Sequence, residues 1–127
     1  MRTILTAAAV SIVFLVANAA FAETGAASHK AIEYLLSSVE HSDLTFIRNG
    51  KSYTPKEAAA HLKAKYDYFK GEIVTPEDFI RLAGSKSELS GKPYQVQTRD
   101  GQRVTSAEWL LHALAEYRAG QEVAVHN

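Results

Sequence analysis

Residues 44–57 read LTFIRNGKSYTPKE, and they contain a strand-turn-strand pattern followed directly by a helix start. The Asn-Gly pair at 49–50 lies between two runs that favour β-structure. This is the strongest short-range hairpin signal, because both residues tolerate a positive φ. Thr54 suits the N-cap of a helix, Pro55 its first position, and Glu57 the partner position of a capping box. The stretch therefore predicts a hairpin that leads at once into a helix.

The rest of the chain repeats this order. Ser28 can cap a helix, and apolar residues recur at helical spacing over 29–41, before the first hairpin. A short helix begins at Thr75-Pro76, a strand alternates over 93–98, and Asp100-Gly101 marks a second turn. Thr105 then opens a last helix, which we expect to stop at Gly120. The prediction is an α+β fold of two α-ββ-α units, with two hairpins forming one small antiparallel sheet against the helices.

The two halves also align at a constant offset. Thr54 falls over Thr105, Glu57 over Glu108 and His61 over His112. Shared turn and capping requirements explain the threonines and glutamates but not the histidines. The sequence leaves open whether the halves descend from an internal duplication.

The N-terminal residues have the three parts of a secretory signal peptide. A positive start at Met1-Arg2 precedes an apolar run, and Ala20-Phe21-Ala22 forms an A-x-A cleavage site. A retained membrane anchor is the weaker alternative, since the apolar run is shorter than the ~20 residues that span a bilayer. The predicted organisation is a signal peptide at 1–22, a flexible leader at 23–28, one domain at 29–120 and a frayed tail at 121–127.

Composition excludes several classes of function. The 14 basic and 14 acidic residues balance and are interspersed, so no basic surface is expected for nucleic acid or for an anionic membrane. The absence of cysteine excludes disulfides, thiolate metal sites and a lipid anchor at the cleavage point. Cleavage after Ala22 then predicts a soluble periplasmic protein without a membrane anchor, and nothing in the sequence calls for a cofactor.

Several separated motifs resemble a known family. They are Phe46-Ile47-Arg48-Asn49-Gly50, Ala58 with His61-Leu62 and Lys65, Thr75 with Phe79-Ile80, and Ser85-Lys86-Ser87 with Ser90-Gly91-Lys92-Pro93-Tyr94. In this order they resemble the small exported bacterial proteins of domain-of-unknown-function family 5329, over about residues 30–118. The resemblance implies an exported single-domain protein of a Gram-negative bacterium. It supplies no catalytic residues.

The polar loop between Gly84 and the third strand is the first candidate site. Its serines, lysines and glycine could hold an anion through backbone N–H groups and ammonium charge, while a Ser–Lys dyad could act as nucleophile and base. Arg48 beside the turn could bind a carboxylate or phosphate, or pair with Glu40, Asp43 or Glu57. The candidate binding residues are Arg48, Asn49, Ser85, Lys86, Ser87, Ser90, Gly91, Lys92 and Tyr94.

Two Glu-x-x-x-His pairs are weak metal candidates. Glu57 with His61, and Glu108 with His112, each share one face of a helix. Both glutamates also occupy capping-box positions, and both histidines lie far from the centre of the buried helix face. The alternative is that the glutamates cap and the histidines bond to nearby backbone or tyrosine. We expect no metal site.

Two further expectations concern exposure. Tyr68 and Tyr94 are the aromatic residues expected at the surface, and the run Lys63-Ala64-Lys65 is expected to be a solvated helix face. No nucleophile, base and oxyanion site can be assembled from the sequence. The leading hypothesis is a periplasmic binding or interaction module for a small anionic ligand or an envelope protein. The alternatives are a hydrolytic or metal-assisted enzyme acting on an envelope substrate, and an inhibitor or partner of an envelope enzyme.

Overall fold

The computed structural model describes residues 25–126. The predicted signal peptide and its cleavage after Ala22 lie outside these residues. In chain order the described elements are α1 (Gly25–Glu40), β1 (Thr45–Arg48), β2 (Lys51–Tyr53), α2 (Pro55–Phe69), α3 (Pro76–Leu82), β3 (Gln95–Gln97), β4 (Arg103–Thr105) and α4 (Ser106–His126). None of the helices within these residues is both long and apolar enough to cross a bilayer.

The two hairpins form one antiparallel sheet with the strand order β2-β1-β3-β4, so the predicted α+β fold is confirmed. Arg48 pairs with Lys51 across the first turn. Asn49 and Gly50 have φ values of 51° and 77°, as a two-residue primed turn requires. In the centre of the sheet Ile47 pairs with Gln95. This register places the end of the loop before β3 beside the end of β1.

The helix starts are fixed by the capping groups that the sequence indicates. The Thr54 backbone N–H donates to Oε1 of Glu57 at 2.9 Å, and the Glu57 N–H donates to the Thr54 hydroxyl at 3.2 Å. Thr75 and Asp78 form the same reciprocal pair at the start of α3. Such a cap satisfies backbone donors that have no partner inside the helix. Helix α2 therefore begins directly after β2, and its first turns lie beside the hairpin.

One apolar core lies between the sheet and the helices. The largest side chains that it encloses completely are Phe79, Ile32, Leu35, Leu110, Leu114, Val39 and Val96. Helix α4 packs closely against the chain at Gly84, just after α3 ends. A Cβ added at Gly84 would lie only 2.6 Å from Cδ1 of Leu110. On the sheet side, Trp109 packs edge-on against Phe46 with 6.1 Å between ring centres. Leu62 and Tyr66 of α2 belong to the same core as Phe46 of β1, so α2 and β1, which both carry residues of the candidate site, pack against common neighbours.

The helix ends differ from the predicted ones. Helix α1 begins at Gly25, and Ser28 is buried inside it at 3% exposure, so 25–28 are not the predicted flexible leader and Ser28 is not a cap. Helix α4 passes through Gly120 and ends at His126, where a stop and a frayed tail were predicted. A glycine inside a helix costs only about 1 kcal/mol relative to alanine. That cost does not stop a helix already anchored by buried Leu110 and Leu114.

Candidate functional site

Arg48 lies at the end of β1, and its guanidinium faces helix α2. Its Nη1 lies 3.0 Å from Nδ1 and 3.1 Å from Nε2 of His61. Its Nη2 donates a 2.9 Å hydrogen bond to the hydroxyl of Tyr53. The guanidinium carbon also lies 4.8 Å from the centre of the Tyr53 ring, a cation–π distance. Arg48 is therefore held half-buried between an imidazole and a phenol.

No carboxylate forms an ion pair with Arg48 among residues 25–126, so the alternative of pairing with Glu40, Asp43 or Glu57 is not observed. Each predicted partner has another contact: Glu40 with His41, Asp43 with Arg99, and Glu57 with the Thr54 cap. By contrast, the chain pairs three other arginines with carboxylates, namely Arg81, Arg99 and Arg118. The contacts of the half-buried Arg48 with His61 and Tyr53 do not neutralise its positive charge.

Tyr94 connects His61 to a buried lysine. Its hydroxyl lies 3.0 Å from Nε2 of His61 and accepts a 3.1 Å hydrogen bond from Nζ of Lys65. Lys65 is only 9% exposed, so the prediction that it belongs to a solvated helix face is wrong. Tyr94 is 7% exposed, where the sequence predicted a surface residue. The exposure predicted for Tyr68 is confirmed, at 81%.

Lys65 is saturated by acceptors from the loop that precedes β3. Besides Tyr94, its ammonium donates to the backbone carbonyl of Lys86 at 2.9 Å and to Oε1 of Glu88 at 3.2 Å. A buried ammonium needs such partners, since leaving it unpaired would cost several kcal/mol. Arg48, Tyr53, His61, Lys65 and Tyr94 form a continuous row, called here the Arg48 cluster.

The polar loop at 85–94 folds back on itself and onto the first hairpin turn. Asn49 donates to the Ser87 hydroxyl at 3.3 Å and accepts a short hydrogen bond from the Ser90 hydroxyl. The Ser87 N–H donates to the Lys92 carbonyl at 3.0 Å, and Gly91 has a φ of 72° that favours glycine. The structure thus brings together Arg48, Asn49, Ser87, Ser90 and Tyr94 from the predicted set.

The other predicted site residues do not join the cluster by their side chains. The Ser85 hydroxyl donates to the Ile80 carbonyl at 2.6 Å, closing the end of α3. Lys86 contributes its backbone carbonyl alone to the cluster contacts, and Lys92 is exposed at the outer side of the loop. The hydroxyls of Ser87 and Ser90 are both engaged with Asn49. These contacts give the loop serines a structural role.

The two Glu-x-x-x-His pairs lie in different surroundings. Glu57 caps α2, and its pKa is lowered mainly by the hydrogen bond from the Thr54 backbone. His112 is exposed and lies 3.8 Å from Glu116, away from the Arg48 cluster. Within the described residues no three His, Cys, Asp or Glu side chains are grouped so that they could hold a metal ion. Of the aligned histidines, His61 alone belongs to the cluster.

The surroundings of His61 favour its neutral form. Burial lowers its pKa most, and the nearby charges of Arg48 and then Lys65 lower it further. A guanidinium can only donate hydrogen bonds, and Nη1 of Arg48 lies 3.0 and 3.1 Å from the two ring nitrogens, one of which is unprotonated in a neutral imidazole. A neutral His61 can therefore accept a hydrogen bond from Arg48 through its unprotonated nitrogen, and its Nε2 also lies 3.0 Å from the Tyr94 hydroxyl.

Two cavities adjoin the cluster and share Arg48, His61 and Tyr94 in their walls. The first, called the sheet-side cavity, has a volume of about 160 Å³ and reaches Phe46, Ile47 and Leu62. The second, called the loop-side cavity, has a volume of about 560 Å³ and reaches Lys65, Tyr68 and Leu89. Arg48 and His61 thus face space that a ligand could enter from either side.

Lys65 and Tyr53 belong to the site but were not among the residues predicted for it. Lys65 stands four residues after His61 on α2, so helical spacing alone places both on one face. That signal was outweighed by the neighbouring Lys63, which is exposed and pairs with Asp67. Tyr53 follows Arg48 across a two-residue turn, but its contact with the guanidinium depends on rotamers that the sequence does not show.

The chain matches the model of a family of unknown function (DUF5329) over residues 26–118, and it belongs to that family. It is also 37% identical over 76 residues to the uncharacterized protein YfeK of Salmonella typhimurium strain LT2. That match covers 59% of this chain and 63% of YfeK, which is less than two thirds of the relative's length. No solved structure matches the chain. The resemblance stated from the sequence motifs is confirmed.

Proposed function

We propose that this chain is an exported binding module that holds an anionic group at Arg48. The observation that carries the proposal is the half-buried guanidinium that has no carboxylate partner in the described part of the chain. It faces two cavities, and its contacts with His61 and Tyr53 leave its charge in place. The group bound can belong to a free small molecule or to an envelope protein, since both present the same chemistry to Arg48.

The surroundings of Arg48 favour binding over structural pairing. A purely structural pairing would place an acidic neighbour beside the guanidinium, as Glu77 lies beside Arg118. Here the neighbour is a neutral His61, whose pKa is lowered by burial and by the two cations. An incoming anion would neutralise a charge that the fold leaves uncompensated. It would also gain planar, two-pronged hydrogen bonding that a guanidinium offers to a carboxylate or phosphate.

The proposal that the module works in the periplasm has separate support. It is supported by the signal-peptide pattern of Met1-Arg2, the apolar run and the site at Ala20-Phe21-Ala22. The balanced charge and the lack of cysteine agree with an exported protein that folds by packing alone.

The test is calorimetric titration of the protein with acetate and with inorganic phosphate at low salt. Replacement Arg48→Met keeps the aliphatic stem but removes the donors, and a charged hydrogen bond contributes about 1.5–3 kcal/mol. We expect at least a tenfold loss of affinity for the anion that binds. The matched control is Arg99→Met, which removes an exposed arginine and should change affinity less than twofold.

A second variant separates charge from geometry. Arg48→Lys keeps the positive charge without the planar fork, so we expect an intermediate loss. Equal affinity of wild type and Arg48→Met would refute the proposal. Anion binding that appears only on adding an envelope fraction, and is lost in Arg48→Met, would assign the anionic group to a protein partner.

A further inference from the structure

The sheet-side cavity indicates which kind of anion fits beside Arg48, an inference that rests on the proposed function. Its walls combine one polar end and one apolar end. The polar end carries Arg48, His61 and the hydroxyl-bearing Tyr53 and Tyr94. The apolar end is built by Phe46, Ile47, Ala58 and Leu62, three of which are at most 7% exposed. Of the other lining groups, the exposed Glu57 is held by the Thr54 cap and keeps its negative charge, and Gln95 and Ser106 are neutral.

The volume of the cavity limits the apolar part of a ligand. An apolar cavity of about 150 Å³ accepts a molecule of benzene. At about 160 Å³ the sheet-side cavity belongs to the same class. A bare inorganic anion would leave the walls at Phe46 and Leu62 without contacts, and a long acyl chain exceeds the space. One aromatic ring or one branched aliphatic group fills it.

The positive charge available at the polar end of the cavity limits the negative charge that a bound anion can carry. Lys65 already donates to Glu88, to the Lys86 carbonyl and to Tyr94. In the lining of this cavity, within the described residues, Arg48 is therefore the one cation left for a ligand. A single guanidinium matches a monoanion in charge and a carboxylate in planar geometry. A phosphate dianion would remain half neutralised.

We infer that the ligand is a monocarboxylate attached to one compact apolar group of about the size of a phenyl ring. The carboxylate binds Arg48, with Tyr53 beside it, and the apolar group lies between the sheet and α2 against Phe46 and Leu62. The carboxylate can be that of a free acid or the C-terminus of a peptide ending in an apolar residue. Both present the same two features to the cavity.

The experiment compares four probes by calorimetric titration: benzoate, acetate, benzyl alcohol and inorganic phosphate. We expect benzoate to bind at least tenfold more tightly than each of the other three. Equal affinity of acetate and benzoate would overturn the inference but leave the proposed function intact. Binding of benzyl alcohol as tightly as benzoate, or of phosphate more tightly, would also overturn it. Failure of every anion to bind would refute the proposed function itself.

A cavity-filling variant tests the location. Ala58→Leu places a larger side chain from α2 into the sheet-side cavity, while Ala60→Leu adds the same side chain at an exposed position of the same helix. Ala58→Leu should remove the preference for benzoate over acetate, and Ala60→Leu should keep it. An unchanged preference in a folded Ala58→Leu protein would overturn the assignment. If Ala58→Leu fails to fold, Ala58→Val, with a smaller added volume, is used and should reduce the preference.

The source of the carboxylate is resolved by two peptides. A tripeptide ending in phenylalanine with a free C-terminus is compared with its C-terminal amide. Tighter binding of the free-acid peptide than of benzoate assigns the site to a chain end, and the reverse assigns it to a free acid. Equal affinity of the acid and amide peptides, together with weak benzoate binding, would overturn the role of the carboxylate.

Discussion

Removal of the Tyr94 hydroxyl is the perturbation that tests the Arg48 cluster most directly. Tyr94→Phe keeps the buried ring but removes the oxygen that lies 3.0 Å from His61 and 3.1 Å from Lys65. Lys65 retains the Lys86 carbonyl and Glu88 as acceptors, so its buried ammonium still has hydrogen-bond partners. The substitution therefore measures the contribution of the Tyr94 hydroxyl to stability, and the ion pair between Lys65 and Glu88 stays in place.

The expected cost follows from the two hydrogen bonds. A neutral bond contributes about 1 kcal/mol and a bond from a charged donor about 1.5–3 kcal/mol. The two retained acceptors of Lys65 reduce the second contribution, so we expect a loss of about 2 kcal/mol in the free energy of unfolding. The ion pair between Lys65 and Glu88 contributes little to stability, because Glu88 is 57% exposed. Any change of that pair in Tyr94→Phe therefore alters the expected loss only slightly.

The assay is urea denaturation of wild type, Tyr94→Phe, Lys65→Met and the double variant. Groups in direct contact show coupling of about 0.5–3 kcal/mol in such a cycle, and we expect about 1 kcal/mol here. Tyr68→Phe is the matched control, because Tyr68 is 81% exposed and its loss should stay within about 0.5 kcal/mol. A Tyr94→Phe protein as stable as the control, or strict additivity in the cycle, would refute the reasoning.

Three further predictions follow from other features of the chain. Because burial and the charges of Arg48 and Lys65 hold the pKa of native His61 below its ordinary value of 6.5, the unfolded chain binds more protons as pH falls. Stability should therefore drop between pH 7.5 and 5.5 by more in wild type than in His61→Gln, and equal drops in urea titrations would contradict this. Gly84→Ala should lower the free energy of unfolding by about 1–3 kcal/mol, because the added Cβ forces Leu110 to move. A Cβ added at Gly71 would meet no atom within 4 Å, so Gly71→Ala should be neutral, and equal melting temperatures of the two variants would contradict the overpacking. Intact-mass measurement of the exported protein should give an N-terminus at Glu23, and a mass that includes residues 1–22 would contradict cleavage.

The elements of this fold could be predicted because their signals are local. Asn49-Gly50 needs only its own φ values to define a hairpin, and Thr54 needs only Glu57 to start a helix. The helix ends were harder to predict because they depend on packing. Ser28 lies inside α1 because that part of the helix is buried in the fold, which no local signal for a leader or a cap records.

The site was predicted in part, and the missing part depends on strand register. Arg48 and Tyr94 come together because β1 and β3 pair antiparallel with Ile47 opposite Gln95, and no motif in the sequence specifies that pairing. The sequence indicated Arg48 and the loop separately, each for its own chemistry. It could not indicate that Lys65 would be buried under the loop, since burial of a lysine becomes favourable only once the Lys86 carbonyl and Tyr94 are in place.

The aligned histidines argue that the cluster is more than a consequence of the repeated element order. His61 and His112 follow equivalent capping residues on α2 and α4, yet His112 is solvent-exposed near Glu116. His61 instead lies where burial and then the charges of Arg48 and Lys65 lower its pKa. An acidic residue at the same position would pair with those two cations. Sites where a sequence departs from the locally most stable choice are commonly functional. A neutral side chain at position 61 contacts Arg48 without neutralising its charge, which is the condition that the proposed carboxylate ligand requires.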